Sequence, residues 1–372
     1  MELQALIKNI NITKLINYKN INITGLNHNS KNVAKGDLFF CINGLTNKGE
    51  TFVVDAINNG AIAVVTESEL NIDCIQIVVD NVRVAMALIA KCFYDSCCDN
   101  LKIIMVTGTN GKTTSTYVLN SIFNVSGIKC AIIGTNGIYY DNKQLYYGLT
   151  TPDPIDLHYY FKQLYNLGVK VVIMEASAHA IALNKLCGIN AEAMLYTNLT
   201  YEHVDFFENM QNYVNTKINY INNGGFKFIV ANGDCEYAKL INSKLPLVFY
   251  GLQNPAQTFA VNINYSILGT DFFVNCFDEV FEVKSCLIGL YNVYNLLGCI
   301  TIAYLFGLSN EQICLGIKNL KHIPGRFNLY NLDLNNKVII DFAHTPDGFY
   351  SVLNEIKKLR QGKIITIFGC VG

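Results

Sequence analysis

The sequence predicts an α/β protein: a small amino-terminal α/β domain, a central doubly wound and mostly parallel sheet, and the start of a third α/β domain. Three observations predict this. Short apolar runs alternate with helix-like segments. One run, "LKIIMVTG" (101–108), opens into a glycine-rich loop and then a helix. Several charged residues stand just past strand ends. Strands alternating with helices imply a parallel sheet with right-handed crossovers, and such sheets bind ligands beyond the carboxyl ends of their strands.

Taken in order, "GDLFFCING" (36–44), "TFVVDAINNGAIAVVTE" (51–67) and "CIQIVVD" (74–80) are β-rich runs separated by a helix-like stretch and turns, so residues 1–95 form the first domain. A helical stretch, "VAMALIAKCFYDSCC" (84–98), leads into the central domain, 96–322. There "LKIIMVTG" is a buried strand and "GKTTSTYVLNSIFNVSG" (111–127) a helix closed by Gly127. "CAIIGT" (130–135) is a strand, "DLHYYFKQLYNLG" (156–168) a helix, and "VKVVIMEAS" (169–177), "AMLYTNL" (193–199) and "KFIVAN" (227–232) are strands. In residues 323–372, "HIPGRFNLYNL" (322–332) gives a turn and strand, "KVIIDFAHTPDG" (337–348) a strand and loop, "FYSVLNEIKKLRQG" (349–362) a helix, and "KIITIFGCVG" (363–372) a strand entering a glycine turn. Two or three strands and one helix cannot close a doubly wound sheet, so this third, Rossmann-like domain is expected to be incomplete, cut off soon after it begins.

The 28 Lys and Arg balance 29 Asp and Glu, a formal charge of −1. No global field draws such a chain to nucleic acid or to an anionic membrane, so a bound anion needs a local site. Thirteen cysteines are scattered, and Cys97–Cys98 has no second pair at zinc-site spacing. They read as buried thiols in a reducing cytoplasm. The amino terminus lacks a signal-peptide layout and no apolar run reaches the ~18 residues of a spanning helix.

"MVTGTNGKTT" (105–114) lies between strand and helix, where backbone N–H groups and the helix N-terminus favour phosphate. Lys112 would reach terminal phosphates and Thr113, with Thr114 beside it, would offer a hydroxyl to Mg2+. Val106 stands where the strict phosphate-loop pattern has glycine. Glu175 ends an apolar strand and could hold Mg2+, though a lone acid there better suits a solvated carboxylate or a helix cap, a reading His179 four residues later weakens only modestly. His203 and Asp205 follow another strand; a histidine is a poor first choice for Mg2+ and alone reads as structural. Lys217 by spacing alone reads as a surface-helix lysine. Arg326, on a turn after Pro324–Gly325, suits the charge of a transferring phosphoryl group, and equally a surface ion pair.

Together the segments resemble the Mur ligases and, within them, the MurE type. The loop matches that family's GTxGKT as Gly108-Thr109-Asn110-Gly111-Lys112-Thr113, which makes Val106 expected. "TTPDP" (150–154), "MEASAHA" (174–180), "TNLTYEHVDFF" (197–207) with Lys217 twelve residues past Asp205, "LIGLYNVYN" (287–295), "PGRFN" (324–328), "DFAHTPDG" (341–348) and the stretch 27–53 follow in register.

The resemblance implies a central P-loop domain and an ATP-driven amide ligase of peptidoglycan synthesis. The terminal carboxylate of UDP-MurNAc-L-Ala-D-Glu would become an acyl phosphate, attacked by the amine of meso-diaminopimelate or L-lysine. It implies that Lys112 and the loop hold ATP, that Thr113, Glu175, His203 and a carbamylated Lys217 serve Mg2+, that Asn295 meets the adenine, and that Arg326 and Asp341 reach ATP. Ser30 and Gly44-Leu45-Thr46 would bind the uridine nucleotide; Thr150, Thr151, Ser177 and Lys185 would line the muramoyl dipeptide. The chain would be a cytoplasmic monomer whose partners are the UDP-MurNAc-dipeptide and a free amino acid, with no nucleic acid or membrane. Two departures stand out: the family's "DSR" is Asn29-Ser30-Lys31, exchanging the guanidinium fork for a point charge, and the segment that selects the incoming amino acid is absent from this sequence. The alternatives are a truncated remnant that binds nucleotide without turnover, and another ligase of this fold such as folylpolyglutamate synthetase, which "AHTPD" disfavours.

Overall fold

Buried apolar runs set the strands of this computed structural model, which describes residues 1–44, 48–332, 336–360 and 362–369. The chain divides into two compact units: Met1–Leu101 with Thr151–Gly168 and His179–Ile189, and Lys102–Thr150 with Val169–Ala178 and Asn190–Gly372.

The first unit begins with α1 (Leu3–Ile7), β1 (Lys14–Ile16), β2 (Gly25–Asn27), β3 (Asp37–Phe40), α2 (Val53–Asn58), β4 (Ala63–Thr66), β5 (Ile75–Val78) and α3 (Val82–Phe93). The strands form one sheet in the order β1-β5-β4-β3-β2, parallel except for β1 against β5. Every residue of β3, β4 and β5 is buried, as expected of strands covered on both faces. Alternation then divides the core: Leu38, Phe40, Ala63 and Val65 join Leu6, Met86 and Ile89, while Phe39 and Val64 meet Val53 and Ala56. Asn81 caps α3 by accepting the N–H groups of Arg83 and Val84.

The chain continues through β6 (Lys102–Thr107), α4 (Lys112–Val125), β7 (Cys130–Gly134), β8 (Gly137–Tyr140), β9 (Lys143–Tyr146) and α5 (Pro154–Asn166), which belongs to the first unit. Then come β10 (Val171–Glu175), α6 (Ala178–Ala182), β11 (Ala191–Tyr196), α7 (Val204–Phe207), α8 (Met210–Asn223), β12 (Phe226–Asn232), β13 (Leu247–Gly251), β14 (Thr258–Ser266), β15 (Gly269–Cys276), β16 (Glu279–Ser285), α9 (Leu290–Leu305), α10 (Asn310–Asn319), β17 (Asn328–Asn331), β18 (Lys337–Ile340) and α11 (Pro346–Leu359).

Eleven strands of the second unit form a sheet ordered β16-β15-β14-β13-β12-β11-β6-β10-β7-β8-β9. Its middle, from β14 through β7, is parallel, and each edge is an antiparallel meander. The loop-bearing β6 is thus central, flanked by β11 and β10. The mostly buried α9 packs into the same core as α4 and β6, through residues such as Leu119, Ile122, Val293 and Leu296.

Two expectations need correction. Residues 363–369 form no strand: among the described residues β17 and β18 pair only with each other, and Ile365, Ile367 and Phe368 stand exposed without ladder partners. The cysteines are not uniformly buried either, because among the described residues Cys286 is exposed and five others are half-buried. Among the described residues no helix is long and apolar enough to cross a membrane.

Candidate functional site

Strand β6 delivers the chain to the carboxyl edge of the sheet, where the loop turns at Gly108 (φ +151°) and Gly111 (φ +87°). A Cβ at either position would collide with Thr197 or Asn295, so glycine is needed both for conformation and for space. Asn198, just past β11, braces the loop. Its carbonyl accepts the Thr109 N–H at 2.8 Å, its Oδ1 the Asn110 N–H at 2.9 Å, and its Nδ2 donates to the Asn110 carbonyl at 3.1 Å.

Lys112 opens the 14-residue helix α4, and its ammonium donates to the carbonyls of Gly108 (2.8 Å) and Thr109 (2.7 Å). The cation therefore lies within its own loop. Burial pushes its pKa down, opposed by Glu175 and Glu202. Thr114, 6% exposed, is packed behind the loop.

The strands neighbouring β6 supply the next groups. Glu175, at the end of β10, is fully buried and accepts from Thr113 Oγ1 at 2.9 Å, from the Thr135 N–H at 2.9 Å and from Thr135 Oγ1 at 3.1 Å. That excludes a solvated carboxylate. A side chain at Gly134, the last residue of β7, would strike the Glu175 carboxylate. Thr135 also meets Thr150, hydroxyl to hydroxyl at 3.3 Å. Arg326 donates to Thr113 Oγ1 at 2.9 Å and stacks 4.5 Å over the Phe342 ring. It faces inward, with Glu175 and Asp341 among the charges around it, and is not a surface ion pair.

Lys217 is 1% exposed, which corrects the reading as a surface lysine. Tyr213, Val214, Lys217, Ile218 and Ile221 share the buried face of α8, and that i, i+4 stripe carries the lysine inward. Its Nζ donates to Tyr213 Oη at 2.8 Å and lies 4.6 Å over that ring. Tyr213 Oη in turn pairs with Thr109 Oγ1 at 2.9 Å, so Lys217 reaches the phosphate loop through one phenol. Burial first, and then Lys112, drives the Lys217 pKa well below the ordinary lysine value, which favours the neutral amine.

His203, in the left-handed region (φ +58°), places Nε2 3.3 Å from Glu202. The other Glu202 oxygen lies 3.2 Å from His344 Nε2. Among the described residues no three His, Cys, Asp or Glu gather as a metal set. The donor pair that suits a hard cation is Thr113 with Glu175, both oxygen.

Asn295 is 5% exposed, donates to Asn292 Oδ1 at 3.1 Å and backs Gly111. It props the loop. Asp341 accepts the backbone N–H groups of Phe327 (2.7 Å) and Ala343 (2.8 Å), closing its own turn. Ser177 lies between β10 and α6, half-buried. In the first unit, Ser30 (7% exposed) opens a one-turn helix, Thr151 is buried, and Lys185 pairs with Asp153 at 2.8 Å; Gly44 is exposed, and Leu45 and Thr46 lie outside the described residues. Thr135, Asn198, Glu202, Tyr213, His344 and Asp347 are site residues that the sequence reading did not single out. All but Asp347 and Tyr213 follow strand ends closely, the signal that found Glu175; Tyr213 lies one helical turn before Lys217.

Beside Asn198, the carboxyl ends of β11–β13 enclose a cavity of about 530 Å3, lined by Thr200, Asn232, Asp234, Tyr237 and Tyr294 among others. No lysine or arginine is among the described residues that line it.

The Mur ligase middle domain matches residues 106–303, the Mur ligase family catalytic domain 22–96, and the Mur ligase glutamate ligase domain 325–372. A UDP-N-acetylmuramoyl-L-alanyl-D-glutamate--2,6-diaminopimelate ligase of Alkaliphilus oremlandii is 34% identical, over 100% of this chain and 77% of its own length. A solved structure of a ligase of that name superposes with a TM-score of 0.84 at 27% identity, over 100% of this chain and 77% of that one. MurF ligase from Thermotoga maritima, solved in complex with ADP, has the same fold: TM-score 0.63 and 21% identity, over 89% of this chain and 74% of that one.

Proposed function

Because this chain belongs to the Mur ligase family, we propose that it is an ATP-dependent ligase that adds 2,6-diaminopimelate, as the third residue, to UDP-MurNAc-L-Ala-D-Glu through an acyl phosphate. The shared name of its relatives favours diaminopimelate over lysine. The observation that carries the reading is the convergence of Lys112, Thr113, Glu175 and Arg326 at one end of β6, β10 and α4.

ATP phosphates would take the loop N–H groups and the N-terminus of α4. Lys112 would exchange its two loop carbonyls for phosphate oxygens, and Arg326, already at Thr113, would sit beside the transferring group. Magnesium, when bound, supplies charge neutralisation, and Thr113 and Glu175 fit it because a buried hydroxyl and carboxylate 2.9 Å apart are both hard donors. A carboxylate oxygen of the dipeptide attacks the γ-phosphorus as the bond to ADP breaks. The diaminopimelate amine then attacks the acyl carbon, inorganic phosphate leaves, and the amine loses its proton. Protein contributes alignment and charge more than covalent chemistry.

The buried amine of Lys217, whose pKa burial and then Lys112 push well below the ordinary lysine value, suits condensation with CO2 to a carbamate, which turns a would-be cation into an oxygen donor. His203, held near Lys217 by Glu202 and the Tyr213 ring (5.8 Å), would serve the same neighbourhood. Asn295 and Asp341 would meet the nucleoside portion of ATP. Ser30, Gly44, Leu45 and Thr46 would take the uridine nucleotide, and Thr150, Thr151, Ser177 and Lys185 the dipeptide, with residues 1–95, 96–322 and 323–372 as the working divisions.

The test supplies ATP, Mg2+, UDP-MurNAc-L-Ala-D-Glu and diaminopimelate or lysine. Tripeptide product with stoichiometric ADP, faster with diaminopimelate, is expected; ADP release with folate and glutamate, and none with either muramoyl mixture, would overturn the reading.

A further inference from the structure

Besides Arg326, two side chains from the carboxyl-terminal part of the second unit reach the phosphate loop and its surroundings, and nothing above gives them work. They are His344 and Asp347, on the turn that opens α11. Asp347 Oδ2 accepts from Asn110 Nδ2 at 3.0 Å, across 237 residues of sequence. Asn110 is the tip of the loop. Its backbone N–H and carbonyl are both taken by Asn198, so Asp347 is what fixes its side chain.

The turn itself is stiff. Thr345 Oγ1 accepts the Gly348 N–H at 3.1 Å as the helix cap, and Pro346 sets the first helical residue. Three residues before Asp347, His344 is doubly engaged: Nδ1 lies 2.9 Å from the Phe342 carbonyl and Nε2 3.2 Å from the Glu202 carboxylate. Both ring nitrogens face acceptors, and the hydrogen bond to the Glu202 carboxylate raises the ring's pKa above the ordinary histidine value. Glu202 is the residue before His203. The turn therefore touches the loop tip through one group and the histidine neighbourhood through the other.

We propose that Asp347 is a positioning residue for nucleotide binding. It acts through Asn110, so that docking of the α11 turn and occupation of the phosphate loop are coupled. This rests on the reading of the loop as the ATP site. A charged acceptor on the Asn110 amide holds the tip in the conformation whose N–H groups face a phosphate; without it, that conformation must be ordered at the moment of binding. Coupling of this kind is reciprocal: nucleotide tightens the turn by the same factor by which the turn tightens nucleotide.

The experiment is a double-mutant cycle on the whole chain, reading Mg·ADP affinity by calorimetry and Tm for each variant. Asp347→Ala and Asn110→Ala should each weaken ADP about tenfold, the loss expected for one charge-assisted hydrogen bond. The double variant should be no weaker than the poorer single. Asp347→Asn keeps an acceptor oxygen and should stay within about threefold of the parent. A role only in folding would lower the Tm of Asp347→Ala and leave its ADP affinity unchanged, which overturns the proposal. So do losses that multiply in the double variant. If Lys112→Ala abolishes ADP binding while the cycle is additive, the coupling falls and the ATP site stands. If the parent binds no Mg·ADP, both fall.

Discussion

Glu175 and Lys217 are buried to the same depth on two sides of the phosphate loop, and their partners differ. Glu175 receives hydrogen bonds from the Thr113 hydroxyl and from both the N–H and the hydroxyl of Thr135. The hydrogen bond of Lys217 is to Tyr213 alone among the described partners, with Lys112 nearby opposing its charge. An anion so supported is a finished piece of scaffold, ready to share its oxygens with a cation. An amine so placed prefers to be neutral, with a lone pair to offer. The comparison separates a group that holds the site's shape from one that awaits a chemical partner.

Lys112→Ala acts on what lies between the two, and carries the largest expected effect. Mg·ADP affinity should fall on the order of a hundredfold, since the proposed role gives Lys112 charge-assisted contacts to phosphate; unchanged affinity by calorimetry would remove the loop from the account. Glu175→Ala tests the scaffold side. It leaves buried donors on Thr113 and Thr135 unmatched, and the denaturant midpoint should report a loss of about 2 to 3 kcal/mol.

A third buried group sharpens the point from the first unit. His158 is 1% exposed with Nε2 lacking a hydrogen-bond partner among the described residues, and burial pushes its pKa from 6.5 down to about 3. The unfolded chain binds a proton below pH 6.5 that the folded one refuses until about 3, so stability falls as pH drops through that window. Between pH 7 and 5 the cost is about 2 kcal/mol. His158→Leu should flatten that part of the stability–pH curve, and an unchanged slope would refute the assignment.

Lys217→Met carries the smallest expected effect on folding. Replacing a buried amine whose one hydrogen bond is to the Tyr213 phenol by an apolar side chain of similar volume should change stability by less than about 1 kcal/mol and leave Mg·ADP binding intact, while ligation stops. A loss as large as that of Glu175→Ala would erase the distinction between the two sides.

Much of the loop side was legible because it is local. A buried run, two glycines and a lysine opening a helix define β6 and α4, and the rule that ligands sit at strand ends found Glu175. Lys217 was misread although its stripe, 213-214-217-218-221, is in the sequence; a lysine in an apolar face is assigned to solvent unless its neighbours are counted. The edge meander β14–β16 was missed because Phe259, Val261 and Phe273 on its exposed face blur the alternation that marks a half-buried strand. The pairs Asn110–Asp347 and Glu202–His344 could not be read at all, since only the folded chain brings such distant residues together.

The most direct test of the account follows one oxygen atom. UDP-MurNAc-L-Ala-D-Glu labelled with 18O in its terminal carboxylate is converted with ATP, Mg2+ and diaminopimelate, and the released phosphate is weighed by mass spectrometry. An acyl phosphate carries one carboxylate oxygen away on phosphorus, so each phosphate should hold one 18O. Tripeptide formed alongside unlabelled phosphate would contradict it.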